Sequence, residues 1–129
     1  MSSVATGADL SPRESVTALV RGVPVQVACT AWCATDHTAN NLVGIEDVTH
    51  ETKDIAVSTP DGLGGTEDVM IARLSQYPFL RHGETGPVLV LDSTGSGECA
   101  ELTKTEARAH LDQYRAHLDA IEALVDLLP

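Results

Sequence analysis

Cys29, Cys33, His37 and His50 bring two thiols and two imidazoles into a span of 22 residues. The first three are separated by even steps of four, and His50 follows after twelve intervening residues. Two sulfurs and two ring nitrogens are a donor set that tetrahedral zinc prefers, and a closed set of four leaves no position for water or substrate. The spacing falls within the range of zinc ligand pairs, although it is not the two-residue knuckle of common zinc fingers. One structural zinc ion on these four residues is the expectation. Two other readings stay open: buried thiols with surface histidines, and a redox disulfide between Cys29 and Cys33. The first leaves the concentration of two of three cysteines with two of five histidines to chance. The second leaves both histidines without a role.

Around the four ligands stand residues that could tune them. Trp32, between the thiols, would shield the metal from water or anchor the loop in the core. Asp36 and Asp47, with Glu46 and Glu51, could accept a hydrogen bond from a ring nitrogen of His37 or His50 that the metal does not use. A zinc enzyme would further need an open coordination position and a general base, a part for which Glu46 or Glu51 could be cast. No His-Glu-x-x-His motif accompanies them. A non-catalytic interaction or regulatory module is therefore the first reading, and a zinc-dependent hydrolase the alternative. The glycine clusters at 62–65 and 95–97 lack the flanking strand, helix and Lys of a phosphate loop and read as turns. Cys99 is expected to be a buried thiol on a strand, and His110 and His117 to flank a helix.

The elements that must position the ligands can be read from apolar patterning. Two β-branched runs, 15–20 and 25–28, surround a turn at 21–24 and form a hairpin that delivers the chain into Cys29. Strand character returns at 43–50 and 53–58, so the ligands lie at strand ends and in the connecting loop. A turn at 60–66 leads into a strand over 68–74. The run Val88-Leu89-Val90-Leu91 has the character of a central strand buried on both faces, and 93–97 is a turn toward a further strand at 98–102.

The last element is a helix opened by a capping box of Thr103 and Glu106. Its apolar residues Ala107, Leu111, Tyr114, Leu118, Ile121 and Val125 alternate steps of four and three, a heptad seam that continues to Leu128. Asp112, Asp119 and Asp126 form an acidic line on the other side. The seam could pack on the sheet of its own chain or pair with a second copy; a thin sheet needs a cover, which favours the first. Leu124 and Leu127 widen the apolar face and keep self-association open.

These elements predict an α+β fold: one small, mostly antiparallel sheet of five or six strands, a zinc-binding loop after the second, and one long C-terminal amphipathic helix across a face. Residues 1–12, without periodicity, read as a flexible tail, and 13–129 as a single domain. Of 129 residues 43% are apolar, but only Trp32, Tyr77, Phe79 and Tyr114 are aromatic. The core is then thin, and a metal clip contributes what burial cannot. A formal charge of −11 opposes direct contact with nucleic acid or anionic lipid. No apolar run reaches the ~20 residues that cross a bilayer, and the first twelve residues lack a signal-peptide pattern. The expected setting is the cytoplasm, with reduced thiols and a protein partner or second copy meeting the C-terminal helix.

Residues 29–50, followed by Ala72-Arg73-Leu74, Pro78-Phe79 and the closing amphipathic helix, resemble a family of small actinomycete proteins of unknown function. That family's pattern is Cys-Pro-x-Trp-Cys, then His a few residues on, then a second His after an acidic stretch. Cys29, Trp32, Cys33, His37, Glu46, Asp47 and His50 match it, while Thr30 stands where the family has proline and so removes a stiff φ angle from the loop. The resemblance implies the same ligand set and carries no activity with it.

Overall fold

The computed structural model describes residues 12–83 and 85–129. The tail expected over 1–12 lies outside them except for Pro12. Strand β1 (Pro12–Val20) and β2 (Val23–Thr30) form the expected antiparallel hairpin. Its turn is Arg21-Gly22, with φ of +52° and +75°, the paired left-handed geometry that matches the twist of the flanking strands. Glycine adopts it freely; Arg21 is held there. The Arg21 N–H donates to the Leu42 carbonyl at 2.8 Å and its Nε to the Val43 carbonyl at 2.7 Å, while the Gly22 N–H donates to Asn41 Oδ1 at 2.6 Å. The short strand β3 (Asn41–Leu42), parallel to β1, is thereby clasped to the hairpin and completes a sheet of order β2-β1-β3.

A strand over 43–50 does not form. Instead the chain turns through a 3-10 helix at Ile45–Asp47, and only His50–Glu51 is extended, as β4. The reason is local: the Gly44 N–H donates to the Asp47 carboxylate at 3.1 Å and the Asp47 N–H donates back to the Gly44 carbonyl at 3.1 Å. That reciprocal cap bends the segment out of the first sheet. Where the patterning suggested one sheet, the described residues form two, both mostly antiparallel.

The second sheet is organised by the 11-residue β6 (Thr66–Gln76), which pairs with β4 and then β5 (Ile55–Pro60) along its length. Next to β6 lies β7 (Val88–Asp92), and beyond it β8 (Ala100–Leu102). β7 is interior, with Val90, Leu91 and Asp92 buried, as its unbroken apolar run implies. The Asp92 carboxylate accepts the N–H groups of Gly95 at 2.9 Å and Gly97 at 2.8 Å, which closes the turn into β8. Cys99 precedes β8 and is exposed, not buried on a strand, because β8 is only three residues long and starts after it.

Ala18, Val27 and Val48 are the buried centre of the first sheet, with Val16, Val25, Leu42 and Phe79 packed around them. Phe79 comes from the loop after β6 and Val48 from the turn before β4, so this small core joins the two sheets. The helix α1 (Lys104–Val125) starts as expected: Thr103 Oγ1 accepts the Glu106 N–H at 3.2 Å, and the Glu106 carboxylate accepts the Thr103 N–H at 3.0 Å. It does not lie across a sheet face. Ala107 is its only buried residue, and the seam from Leu118 onward is exposed. At 22 residues the helix is about 33 Å long, far longer than the short strands β7 and β8 beside its start. Among the described residues no helix is long and apolar enough to cross a membrane.

Candidate metal centre

Side chains alternate along β2, so Val25, Val27 and Cys29 share the face that carries the core, and Cys29 reaches the edge of that core already buried. After Thr30 the chain turns, with the Cys33 N–H donating to the Thr30 carbonyl at 3.3 Å. Two further backbone bonds pin the loop at both sheets. The Ala34 N–H donates to the Glu51 carbonyl at 2.7 Å, and the Leu19 N–H donates to the His37 carbonyl at 3.4 Å. His50 opens β4 opposite Gln76, one residue before that first anchor. The ligand loop is thus tied to β1 of one sheet and β4 of the other.

These ties bring together one ligand atom each from Cys29, Cys33, His37 and His50, all within 4.8 Å of one another. His37 Nε2 lies 3.7 Å from both sulfurs, and His50 Nδ1 lies 3.9 Å from Cys29 Sγ. With Zn–S near 2.3 Å and Zn–N near 2.0–2.1 Å, a tetrahedral ion would set sulfur and nitrogen about 3.6 Å apart. These three sulfur–nitrogen separations agree with the edges of such a tetrahedron to within a few tenths of an ångström. No disulfide joins the two thiols, and the two imidazole rings meet edge to face with centroids 5.2 Å apart.

Burial prepares the rings for this role. Only 2% of His50 and 8% of His37 is exposed. Desolvation lowers the pKa of His37 from its usual 6.5, against a smaller opposite pull from the Asp36 charge. For His50 desolvation again leads; repulsion from His37 adds to it, and a hydrogen bond with the backbone of Ala28 opposes it. Both rings are therefore neutral at pH 7, the form that binds metal. The bond to Ala28 also orients His50, a backbone partner that side-chain patterning could not reveal.

The neighbours named from the sequence are distributed differently. Trp32, half-buried, sets its ring edge-on to His50 with centroids 6.5 Å apart. The Asp36 carboxylate accepts the Thr38 N–H at 3.0 Å and its hydroxyl at 2.7 Å; these bonds, the hydroxyl first, hold its pKa below the usual range. Asp47 Oδ2 is engaged by Gly44 as described, and Glu51 Oε2 lies 2.7 Å from Arg73 Nε. Arg73 enters the sequence reading only within the Ala72-Arg73-Leu74 run of the family resemblance, with no role at the site. Its signal was a lone cation between Ala72 and Leu74 in a strand, which calls for an acid across the ladder. The ion pair braces β4 against β6 next to His50. A cleft of about 280 Å³ opens beside the cluster, with Thr17, Cys33, Asp36 and His37 among its walls.

Residues 14–129 match a family model described as a domain of unknown function (DUF6907), and the chain belongs to that family. The resemblance drawn from the sequence holds to that extent: a family of unknown function over most of the chain. Neither the curated proteins nor the solved structures give a match.

Proposed function

We propose that this chain is a non-catalytic protein-interaction or regulatory module of the cytoplasm, held together by one structural zinc ion on Cys29, Cys33, His37 and His50. The observation that carries the reading is the convergence within 4.8 Å of four ligand atoms, one from each sheet and two from the loop after β2. Two thiolates offset the charge of the ion, and such a neutral, closed centre is a poor Lewis acid. Its use is mechanical. It locks the ligand loop to β4 in a domain whose described residues include only a handful of buried small aliphatic side chains. The exposed apolar side of α1 then supplies the surface that a protein partner would cover.

Metal analysis of the purified protein beside a Cys33→Ala variant tests the zinc. One equivalent in the parent and a clear loss in the variant is the expected result; equal zinc in both sinks the assignment. Cobalt substitution adds the geometry, since a tetrahedral two-sulfur, two-nitrogen site gives intense visible absorption.

The cleft beside Cys33 and His37 favours one second reading, a zinc-dependent hydrolase. Of the two carboxylates eligible as its base, Glu51 is engaged by Arg73. A metal-bound water in the X-ray absorption spectrum would favour the hydrolase over the closed clip.

A further inference from the structure

Apolar side chains without cover are concentrated along α1 and beside its start. Leu118 is 60% exposed and Leu127 80%, with Ile121, Leu124, Val125 and Leu128 also open. At the other end of the same strip the sheet leaves an apolar concavity of about 340 Å³, walled by Ile55, Val57, Met70, Leu89 and Leu91. Leu111 belongs to both, since it lines the concavity and is a seam position of the helix. The strip therefore has a hollow at one end and surplus leucines at the other.

We infer that the occupant of this strip is a second copy of the chain, paired through an antiparallel α1 helix so that Leu127 and Leu128 of each copy enter the concavity of the other. This names the partner for the interaction surface proposed above, and in that respect rests on it.

The heptad register supplies the first argument. In an antiparallel pair centred near Ala116, Leu111 faces Ile121 of the second copy and Tyr114 faces Leu118, so these layers are apolar, while Val125 comes to lie over the helix start where Ala107 is already buried in its own chain. Continuing past the last layer carries Leu127 and Leu128 over the start of the opposite helix. That is where the concavity opens.

Size and charge set what the pairing must overcome. An apolar stripe about 9 Å wide on a helix about 33 Å long offers on the order of 300 Å², well short of the ~800 Å² per partner of a standard interface. Helix pairing alone is too small, and the sheet face with the two tail leucines makes up part of the difference. Each copy carries a charge of −11, which opposes association. The antiparallel pairing offsets some of this by setting Arg108 beside Glu122 of the second copy at both ends, while Asp112, Asp119 and Asp126 point away from the seam. A parallel pair would leave both concavities empty and crowd the two sheet bodies at one end.

Light scattering on the zinc-loaded protein at micromolar concentration is expected to give twice the chain mass of 13.6 kDa. Leu118→Glu, at a position that touches neither sheet nor metal site, is expected to give the monomer mass with zinc content unchanged. Direction is read by disulfide crosslinking in a Cys99→Ser background. Leu111→Cys and Ile121→Cys proteins should crosslink when mixed and not when separate. A monomeric parent that retains its zinc, a Leu118→Glu protein that stays dimeric, or efficient crosslinking of each cysteine variant with itself would overturn the inference. The zinc assignment stands or falls separately, on metal content.

Discussion

Cys29 Sγ, at the end of β2 in the first sheet, lies 3.9 Å from Nδ1 of His50, the first residue of β4 in the second sheet. Among the described residues the two sheets also meet through a small core around Val48 and Phe79, the hydrogen bond of His50 with the Ala28 backbone, and a backbone bond from Ala34 to Glu51. An ion between this sulfur and this nitrogen therefore joins bodies with little else to hold them. Removing the metal with a chelator is expected to lower stability by about 3 kcal/mol or more, since structural zinc contributes its binding energy to folding. Thermal denaturation with and without chelator measures this; an unchanged melting temperature contradicts it. His50→Ala should show the same loss without chelator, enlarged by the cavity left at a fully buried side chain.

Stability should also fall in mild acid. Both His37 and His50 have pKa values lowered below 6.5 by burial, so the fold binds fewer protons than the unfolded chain. Their contribution is complete above pH 6.5 and is lost as pH falls through that value toward the lowered ones. Protonation of the same rings and thiolates also expels metal. Urea titrations of metal-free protein at pH 7.5, 6.5 and 5.5 should give a descending series, and zinc retention should descend with them. A series that rises toward acid would reverse the assignment of neutral rings.

Much of this architecture could be read from local chemistry. The hairpin into Cys29, the central β7 and the Thr103 cap follow from β-branched runs, an unbroken apolar strand and two side chains three apart. The cluster of Cys29, Cys33, His37 and His50 is legible because thiols and imidazoles are rare and lie close together in sequence. What escaped depends on distance and competition. Val43 and Ile45 alternate as a strand should, yet Gly44 and Asp47 cap a turn within the same segment and that local bond won. The heptad seam is legible, but the expected cover by the chain's own sheet is absent from Leu118 onward, because patterning gives the width of an apolar face and not what lies opposite. Arg73 owes its place to a register between β4 and β6 that no single segment encodes.

Gly95 is a position where a methyl group should do measurable harm. Its φ is +76°, and a Cβ there would collide with the Asp68 carbonyl oxygen on the neighbouring β6. The turn cannot yield easily, because the buried Asp92 carboxylate holds both Gly95 and Gly97. Gly95→Ala is expected to cost roughly 2 kcal/mol, from the left-handed backbone and the clash together. Denaturant unfolding reads it. Gly83, with φ of +92° and open space around its Cβ position, is the control that isolates the backbone part.

The pair between Arg73 and Glu51 should prove weaker than its 2.7 Å separation suggests. Both side chains are about one third exposed, so water screens the attraction that the geometry offers. Asp54, 3.6 Å from the same guanidinium, shares it further. A double-mutant cycle with Arg73→Met and Glu51→Gln is expected to give a coupling of about 0.5 kcal/mol, shrinking as salt is added. Zinc content should be unchanged in both variants, because the Glu51 contact that anchors the ligand loop is made by its backbone carbonyl to Ala34. Loss of zinc in Glu51→Gln would mean instead that the carboxylate itself supports the metal site, and would move Glu51 from a brace between strands to a partner of the ligands.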